Sequence, residues 1–230
     1  MKRILFSLML LCAVSGVCLA QHGWHAIDVI TLDQCPTEYG GMTAVPVIED
    51  YVLKAVKVYQ NGDLLQIIAP EDEDDVIAGP VYDSPEYQLV HFPDADNDGH
   101  RDLFVGTGGS RTQNSLYLWN PETSRFERCR SAADLQNPVF CPREGAIYDG
   151  GSSSAWEFSF FRYVWKGRQL EETHTLEMVE NLADYNRNAD PQYRKTHSYV
   201  LTPKSGRALK TNRRSELPAK WQKIMKIILN

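Results

Sequence analysis

Residues 94–102 read Asp94-Ala95-Asp96-Asn97-Asp98-Gly99-His100-Arg101-Asp102 and run directly into the apolar stretch Leu103-Phe104-Val105. A hard cation such as Ca²⁺ takes six to eight oxygens at about 2.3–2.6 Å, and alternate positions of a sharply turned loop can supply them. Here those positions are Asp94, Asp96, Asp98, the carbonyl of His100, and Asp102. Gly99 occupies the point of sharpest turn, where a residue with a Cβ would be strained. In an EF-hand the last ligand is a bidentate Glu on a helix, yet the corresponding residue is Val105, inside a β-prone run. The loop therefore feeds a strand, and the fold must place a tight acidic turn at a strand start. Without a metal the same residues read as an Asp-rich solvated turn. The spacing favours a structural calcium site.

The rest of the body reads as β-structure, because short β-branched and aromatic runs alternate with Gly, Pro, Asn and Asp. Strands are expected over 52–59, 64–68, 87–92, 103–106, 115–120, 155–165 and 169–179. Gln60-Asn61-Gly62-Asp63 joins the first two; Asn-Gly between such runs is the strongest short-range hairpin signal, since both residues tolerate positive φ. A second hairpin is expected at Trp165-Lys166-Gly167-Arg168. Near the end, Pro218 opens a segment with Trp221, Ile224, Met225, Ile227 and Ile228 spaced for a short amphipathic helix, expected to pack on the body.

The N-terminus carries Lys2 and Arg3, an apolar run from Ile4 to Val14, and small residues Cys18 and Ala20 before Gln21. That is the pattern of a secretory signal peptide over 1–20, and the apolar core is too short for a membrane span. Val17 before Cys18 fits a lipoprotein signal poorly. No later stretch is long and apolar enough for a transmembrane segment, so an exported protein is expected, periplasmic, at the cell surface or secreted. In that compartment a pair among Cys35, Cys129 and Cys141 is expected to oxidise. Cys129 with Cys141 would close a short loop worth about 3 kcal/mol, and Cys35 is an alternative partner.

Charge is unevenly spread. Residues 21–110 hold 17 acids against 3 bases, whereas residues 187–230 hold 2 acids against 11 bases. The expected organisation is a β-domain over 21–186 with a basic C-terminal extension, 187–230, packed on or tethered to it. Such a tail suits an anionic surface or a solvated extension neutralising the acidic body; export argues against nucleic acid. The run Glu71-Asp72-Glu73-Asp74-Asp75 reads as a solvated loop. Asp184 to Asp190 has oxygen spacing without the turning glycine, since Ala189 stands in its place, and is also read as a loop.

The acidic loop resembles the calcium turn of integrin-type propeller repeats, but one good copy occurs and the chain is too short for a complete propeller of that kind. A closer resemblance spans roughly residues 85–180. After the loop come Gly106 to Gly109, Asn114, Leu116-Tyr117-Leu118-Trp119, and Asn120-Pro121-Glu122-Thr123-Ser124-Arg125-Phe126. Asn137-Pro138, Gly150-Gly151-Ser152-Ser153-Ser154-Ala155-Trp156, and Tyr163-Val164-Trp165-Lys166-Gly167-Arg168-Gln169-Leu170 follow. This order resembles a bacterial periplasmic family of immunity proteins against lysozyme-like effectors of type IV secretion systems, similar in fold to periplasmic lysozyme inhibitors. The resemblance implies an all-β, calcium-containing protein, a compact β-sandwich or partial propeller-like sheet assembly, that blocks a peptidoglycan hydrolase by inserting a loop into its cleft. The chain departs from the pattern in the compact spacing between Asn114 and Asn120 and in the basic tail.

The best candidate for such a loop is Tyr148 to Trp156, a Gly-Ser-rich segment with aromatics at both ends. Ser152 and Ser153 could hydrogen-bond carboxylates of a lysozyme-like partner, with Tyr148 or Trp156 filling a sugar subsite. An alternative is a calcium-dependent glycan-binding module stacking sugars on Tyr117, Trp119, Trp156, Tyr163 and Trp165, although strand aromatics are more often core. Catalysis is not expected: His22, His25, His91, His100, His174 and His197 lack metal-ligand spacing, and no nucleophile elbow, phosphate loop or Cys–His pattern occurs.

Overall fold

The computed structural model describes residues 24–49, 52–69, 90–106, 114–133, 135–154, 156–181 and 196–229. The expected signal peptide, the Glu71–Asp75 acid run, the Asp184–Asp190 loop and the start of the strand expected at 87 lie outside the described residues.

Every strand pairing among the described residues is antiparallel, and the architecture is all-β as expected. One four-stranded sheet is the meander β2 (Glu38–Tyr39), β3 (Met42–Glu49), β4 (Val52–Gln60) and β5 (Asp63–Ile68), following the short β1 (Ile30–Thr31). A second is the meander β6 (Val90–His91), β7 (Leu103–Val105), β8 (Ser115–Asn120) and β9 (Arg125–Arg128). The remaining strands are β10 (Val139–Cys141), β11 (Ala146–Ser152), β12 (Glu157–Lys166), β13 (Gln169–Asn181), β14 (Thr196–Pro203) and β15 (Leu209–Thr211). They join β1 in a seven-stranded sheet, ordered β1-β10-β11-β12-β13-β14-β15. Among the described residues one α-helix, α1 (Ala219–Ile228), follows. The described residues form sandwiched sheets with no closed barrel.

Both expected hairpins form. Gln60 pairs with Asp63 across Asn61 and Gly62, whose φ values of 52° and 91° match a turn with two left-handed residues. Lys166 pairs with Gln169 across Gly167. Sequence patterning missed β3, because Pro46 interrupts it. The strand accommodates Pro46 because β2 extends only as far as Thr43, leaving β3 an open edge there.

The layers follow from the period of two along each strand. On β7, Leu103 and Val105 pack against Val56, Val58 and Ile68 of the first sheet, while Phe104 faces the opposite way. Phe104, Leu116 and Leu118 meet Phe140, Ile147 and Leu170 of the seven-stranded sheet. The far face of that sheet carries Tyr148, Phe160, Leu176 and Leu201 and is covered by Trp221, Ile224 and Met225 of α1. The β6–β9 sheet is thus the middle layer, apolar on both faces.

The basic C-terminal region, expected to pack on or be tethered to the β-domain, packs on it where it is described: β14 pairs with β13 from Asn181↔Thr196 to His174↔Pro203, and α1 roofs the core. Its apolar residues Tyr199 and Leu201 alternate inward, so the run of bases hid a half-buried strand. One expectation is corrected here: the cysteines do not pair. Cys35, Cys129 and Cys141 are free and buried, and Cys141 lies on the helix side of the seven-stranded sheet while Cys129 lies on the opposite side. A β-sheet therefore separates the two thiols expected to bridge. Cys129 Sγ instead sits 3.3 Å from Ser131 Oγ, and burial pushes the Cys141 thiol up to about 11.

Candidate functional site

The acidic loop leaves β6 and returns at β7. Its neck closes where the Asp102 amide donates to the Pro93 carbonyl at 2.7 Å. Asn97 (φ 62°) and Gly99 (φ 90°) both adopt left-handed backbone, folding the loop inward on itself. The Gly99 amide donates to Asp94 Oδ1 at 3.4 Å, and the Asp98 amide to Asp96 Oδ1 at 3.2 Å. Asp102 accepts from the Ala95 amide at 2.8 Å through one oxygen and from the Trp119 amide of β8 at 2.9 Å through the other.

Asp94, Asp96 and Asp102 converge, each offering a carboxylate oxygen within 4.8 Å of the others. Asp94 is 4% exposed and Asp102 0%. Burial, the largest influence, pushes Asp94 up to about 6, raises Asp96, and holds Asp102 well above the usual carboxylate range; neighbouring aspartates add to each rise. Among the described residues no ion pair reaches these three groups. The nearby Arg101 guanidinium instead lies over the Trp24 ring at 4.5 Å and the Tyr39 ring at 5.4 Å. Converging carboxylates, two of them buried without a paired base, form a donor set that suits a hard divalent cation. Asp98 and His100 are exposed on the open side of the loop, outside this triad, with the His100 amide donating to Asp98 Oδ1 at 2.7 Å.

Two anchors of the loop had no sequence signal. Trp165 Nε1 of β12 donates to the Ala95 carbonyl at 2.7 Å, and Asn97 Nδ2 donates to the Pro142 carbonyl at 3.0 Å. With Asp102 bonded to β8, the loop is fastened to both the middle and the seven-stranded sheets.

The segment Tyr148 to Trp156 differs from the expected projecting loop. Ala146–Ser152 is strand β11, and the turn to β12 begins only at Ser153. Tyr148 is a core residue: its ring meets Trp221 edge-on at 5.1 Å, and its hydroxyl donates to Glu144 Oε2 at 3.0 Å. Its ring is therefore not at a binding surface. Gly150 and Gly151 serve packing. A Cβ on Gly150 would lie 2.7 Å from the Ser159 carbonyl oxygen and from Phe160 Cδ1, and one on Gly151 would lie 2.4 Å from Gln136 Oε1. Ser152, Ser153 and Trp156 do stand exposed at the hairpin tip, with Trp156 at 38%. The Glu157 carbonyl accepts from the Ser153 and Ser154 amides at 2.9 and 3.3 Å, and the Glu180 amide donates to the Trp156 carbonyl at 2.8 Å.

No protein-family model and no curated protein matches the chain. The fold is similar to a solved structure described as that of a Xanthomonas type IV secretion system related protein, at 14% identity and a TM-score of 0.44, over 80% of this chain and 93% of that one. At that level the likeness assigns no function.

The aromatics of the alternative glycan reading are dispersed. Tyr117 and Trp119 pack against the core facing the β2–β5 sheet, with Trp119 edge-on to Phe126 at 5.0 Å. Tyr163 and Trp165 pack against the other face of the middle sheet. Among the described residues no helix is long and apolar enough to cross a membrane.

Proposed function

We propose that this chain is an exported, calcium-stabilised binding protein without catalytic activity of its own, which inhibits a lysozyme-like peptidoglycan hydrolase through the tip of the β11–β12 hairpin. The observation that carries the calcium reading is the burial of Asp94 and Asp102 beside Asp96 with no base paired to them. Bound calcium would supply positive charge, and Asp94, Asp96 and Asp102 would hold it. The role would be structural: Asp94, Asp96 and Asp102 would hold the ion within a loop that is bonded to β8 through Asp102 and to β12 through the Ala95 carbonyl.

For inhibition, the tip offers the Ser152 hydroxyl as donor and Trp156 as an apolar anchor, while the Ser153 hydroxyl already donates to the Glu157 carbonyl at 3.2 Å and can only accept from a partner. Its backbone is already held by the bonds to the Glu157 carbonyl and from Glu180, so little ordering entropy is lost on docking. The carboxylates of a glycosidase cleft accept hydrogen bonds, and its sugar subsites accommodate an aromatic ring. Tyr148 has no part in this contact.

The test is turbidimetric: lysis of cell walls by hydrolases of the lysozyme type, including one encoded beside this chain, with the purified protein titrated in. Stoichiometric inhibition by the wild type and its loss in Trp156→Ala are expected. Absence of both inhibition and binding across these enzymes would overturn the reading, and binding to free glycans without inhibition would replace it.

A further inference from the structure

Arg101 stands between His100 and Asp102 and is the only arginine or lysine of the acidic loop. A guanidinium one residue from Asp102 is the nearest counter-charge for Asp94, Asp96 and Asp102, and its field reaches them: burial raises Asp94, while the Gly99 amide and then the Arg101 charge pull the other way. Yet among the described residues Arg101 makes no ion pair with any of the three. Its guanidinium lies over two rings instead, Trp24 at 4.5 Å and Tyr39 at 5.4 Å. Nη1 is buried there and donates to no acceptor. A buried donor left unmade is costly, so an arginine in that state beside three unpaired carboxylates is held away from them.

The two rings come from different layers. Trp24, in the turn Trp24–Ala26, is 9% exposed and packs on Phe140 of the seven-stranded sheet, with ring centroids 6.2 Å apart. Tyr39 belongs to β2 and packs against the core beneath the first sheet. Both rings are within about 6 Å of the charge, the range in which an aromatic face attracts a cation, and tryptophan is the strongest such face. A guanidinium is planar and weakly hydrated, so it stacks where an ammonium does so less well.

We infer that Trp24 and Tyr39 form a clamp that keeps Arg101 out of the Asp94, Asp96 and Asp102 site and thereby sets its calcium affinity, an inference that rests on the calcium reading of that site. Released from the rings, Arg101 becomes an internal cation for the same carboxylates, and calcium has to displace it; charge-assisted pairs between arginine and carboxylate are among the strong ones. Held on the rings, it leaves the carboxylates to the metal. Linked equilibria are reciprocal, so calcium in the loop favours the stacked Arg101 and with it the seating of Trp24 on the seven-stranded sheet. Affinity for the metal then depends on how three layers meet, not on the loop alone.

Calcium titrations of the purified, chelator-stripped protein by isothermal calorimetry test the clamp with Tyr39→Leu and Trp24→Leu, which keep an apolar side chain and lose the ring. Each should weaken calcium binding about fivefold or more, the lower end of coupling between linked sites, with the larger loss in Trp24→Leu because that ring is nearer. Arg101→Met removes the competitor and should bind calcium at least as tightly as the wild type; combined with it, neither ring substitution should change the affinity further. Arg101→Lys keeps the charge but stacks less well, and should bind calcium more weakly than Arg101→Met. Thermal melting in saturating calcium shows that each variant is folded, and half-buried Tyr39 supplies the comparison should Trp24→Leu melt early. Wild-type affinity in Tyr39→Leu, an equal loss when Tyr39→Leu is combined with Arg101→Met, or weaker binding in Arg101→Met would each overturn the clamp while leaving calcium binding intact. No calcium uptake by the wild type would overturn the clamp and the metal together.

Discussion

A buried carboxylate without a base carries a desolvation penalty of several kcal/mol, and Asp102 offsets only part of it through the amides of Ala95 and Trp119. A cation between Asp94, Asp96 and Asp102 changes that balance, so the thermal midpoint should rise in calcium and fall in chelator. Asp102→Ala should abolish the calcium-dependent difference, and Asp98→Ala, outside the triad, should shrink it less; equal midpoints for the wild type in calcium and chelator would sink the metal assignment. Two glycines give a second comparison at this scale. A Cβ on Gly99 meets nothing within 4 Å, and its φ is 90°, so Gly99→Ala should cost about 1–2 kcal/mol from backbone strain alone. Gly150 has ordinary φ but no room beside Phe160; Gly150→Ala should cost about 1–3 kcal/mol from overpacking. Denaturant unfolding reads both costs, and a Gly150→Ala variant as stable as the parent would contradict the close approach of the Ser159 carbonyl and Phe160.

Among the elements, the β11–β12 tip should tolerate change where the helix does not. Trp156→Ala should leave stability within about 0.5 kcal/mol of the wild type, as at other surface sites, whereas Ile224→Ala, in the roof of the core, should cost about 2–5 kcal/mol. A clasp also ties α1 to the start of the described chain: Lys220 Nζ lies 2.8 Å from Asp28 Oδ1 and 2.9 Å from Glu144 Oε1, and Lys223 Nζ lies 2.6 Å from Asp28 Oδ2. Hydrogen bonds from Lys220 and then Lys223 hold Asp28 down at about 2. Because this value is below the ordinary 3.8, the stabilisation is fully present above pH 4 or so and is lost as pH falls through about 2; carbon-detected NMR titration of Asp28 should find its midpoint there, and a midpoint near 4 would show the clasp open in solution. Elements were legible where local chemistry dictates them. Asn61-Gly62 and Gly167 fixed two hairpins, and Pro218 with the spacing of Trp221, Ile224 and Met225 placed the helix. Strands β10, β11 and β14 were not, because β10 is only three residues long, the glycines of β11 imitate a loop, and the charges around β14 imitate a tail. The acidic triad was readable from spacing, but its fastening by Trp165 and Asn97 depends on partners 70 and 45 residues away, which no local pattern encodes.

At the scale of the whole molecule, three stacked sheets and one helical roof divide the apolar residues into three clusters. Among the described residues no covalent link reinforces them, since Cys35, Cys129 and Cys141 are buried and free. The melting temperature should therefore be the same with and without a thiol reductant, and a drop of several degrees on reduction would contradict the sheet-separated placement of Cys129 and Cys141. The order of the seven-stranded sheet has a further consequence, for time rather than for stability. Its first strand, β1, finds no partner until β10, more than a hundred residues later, and Asp28 meets Lys220 across a separation of 192 residues. Pairings so distant in sequence make folding slow. A ribosome would expose β1 long before β10 could pair with it, and the helix that roofs the sheet emerges after all of its strands. The large sheet therefore stays incomplete through most of the chain's synthesis, with its first strand waiting for a partner.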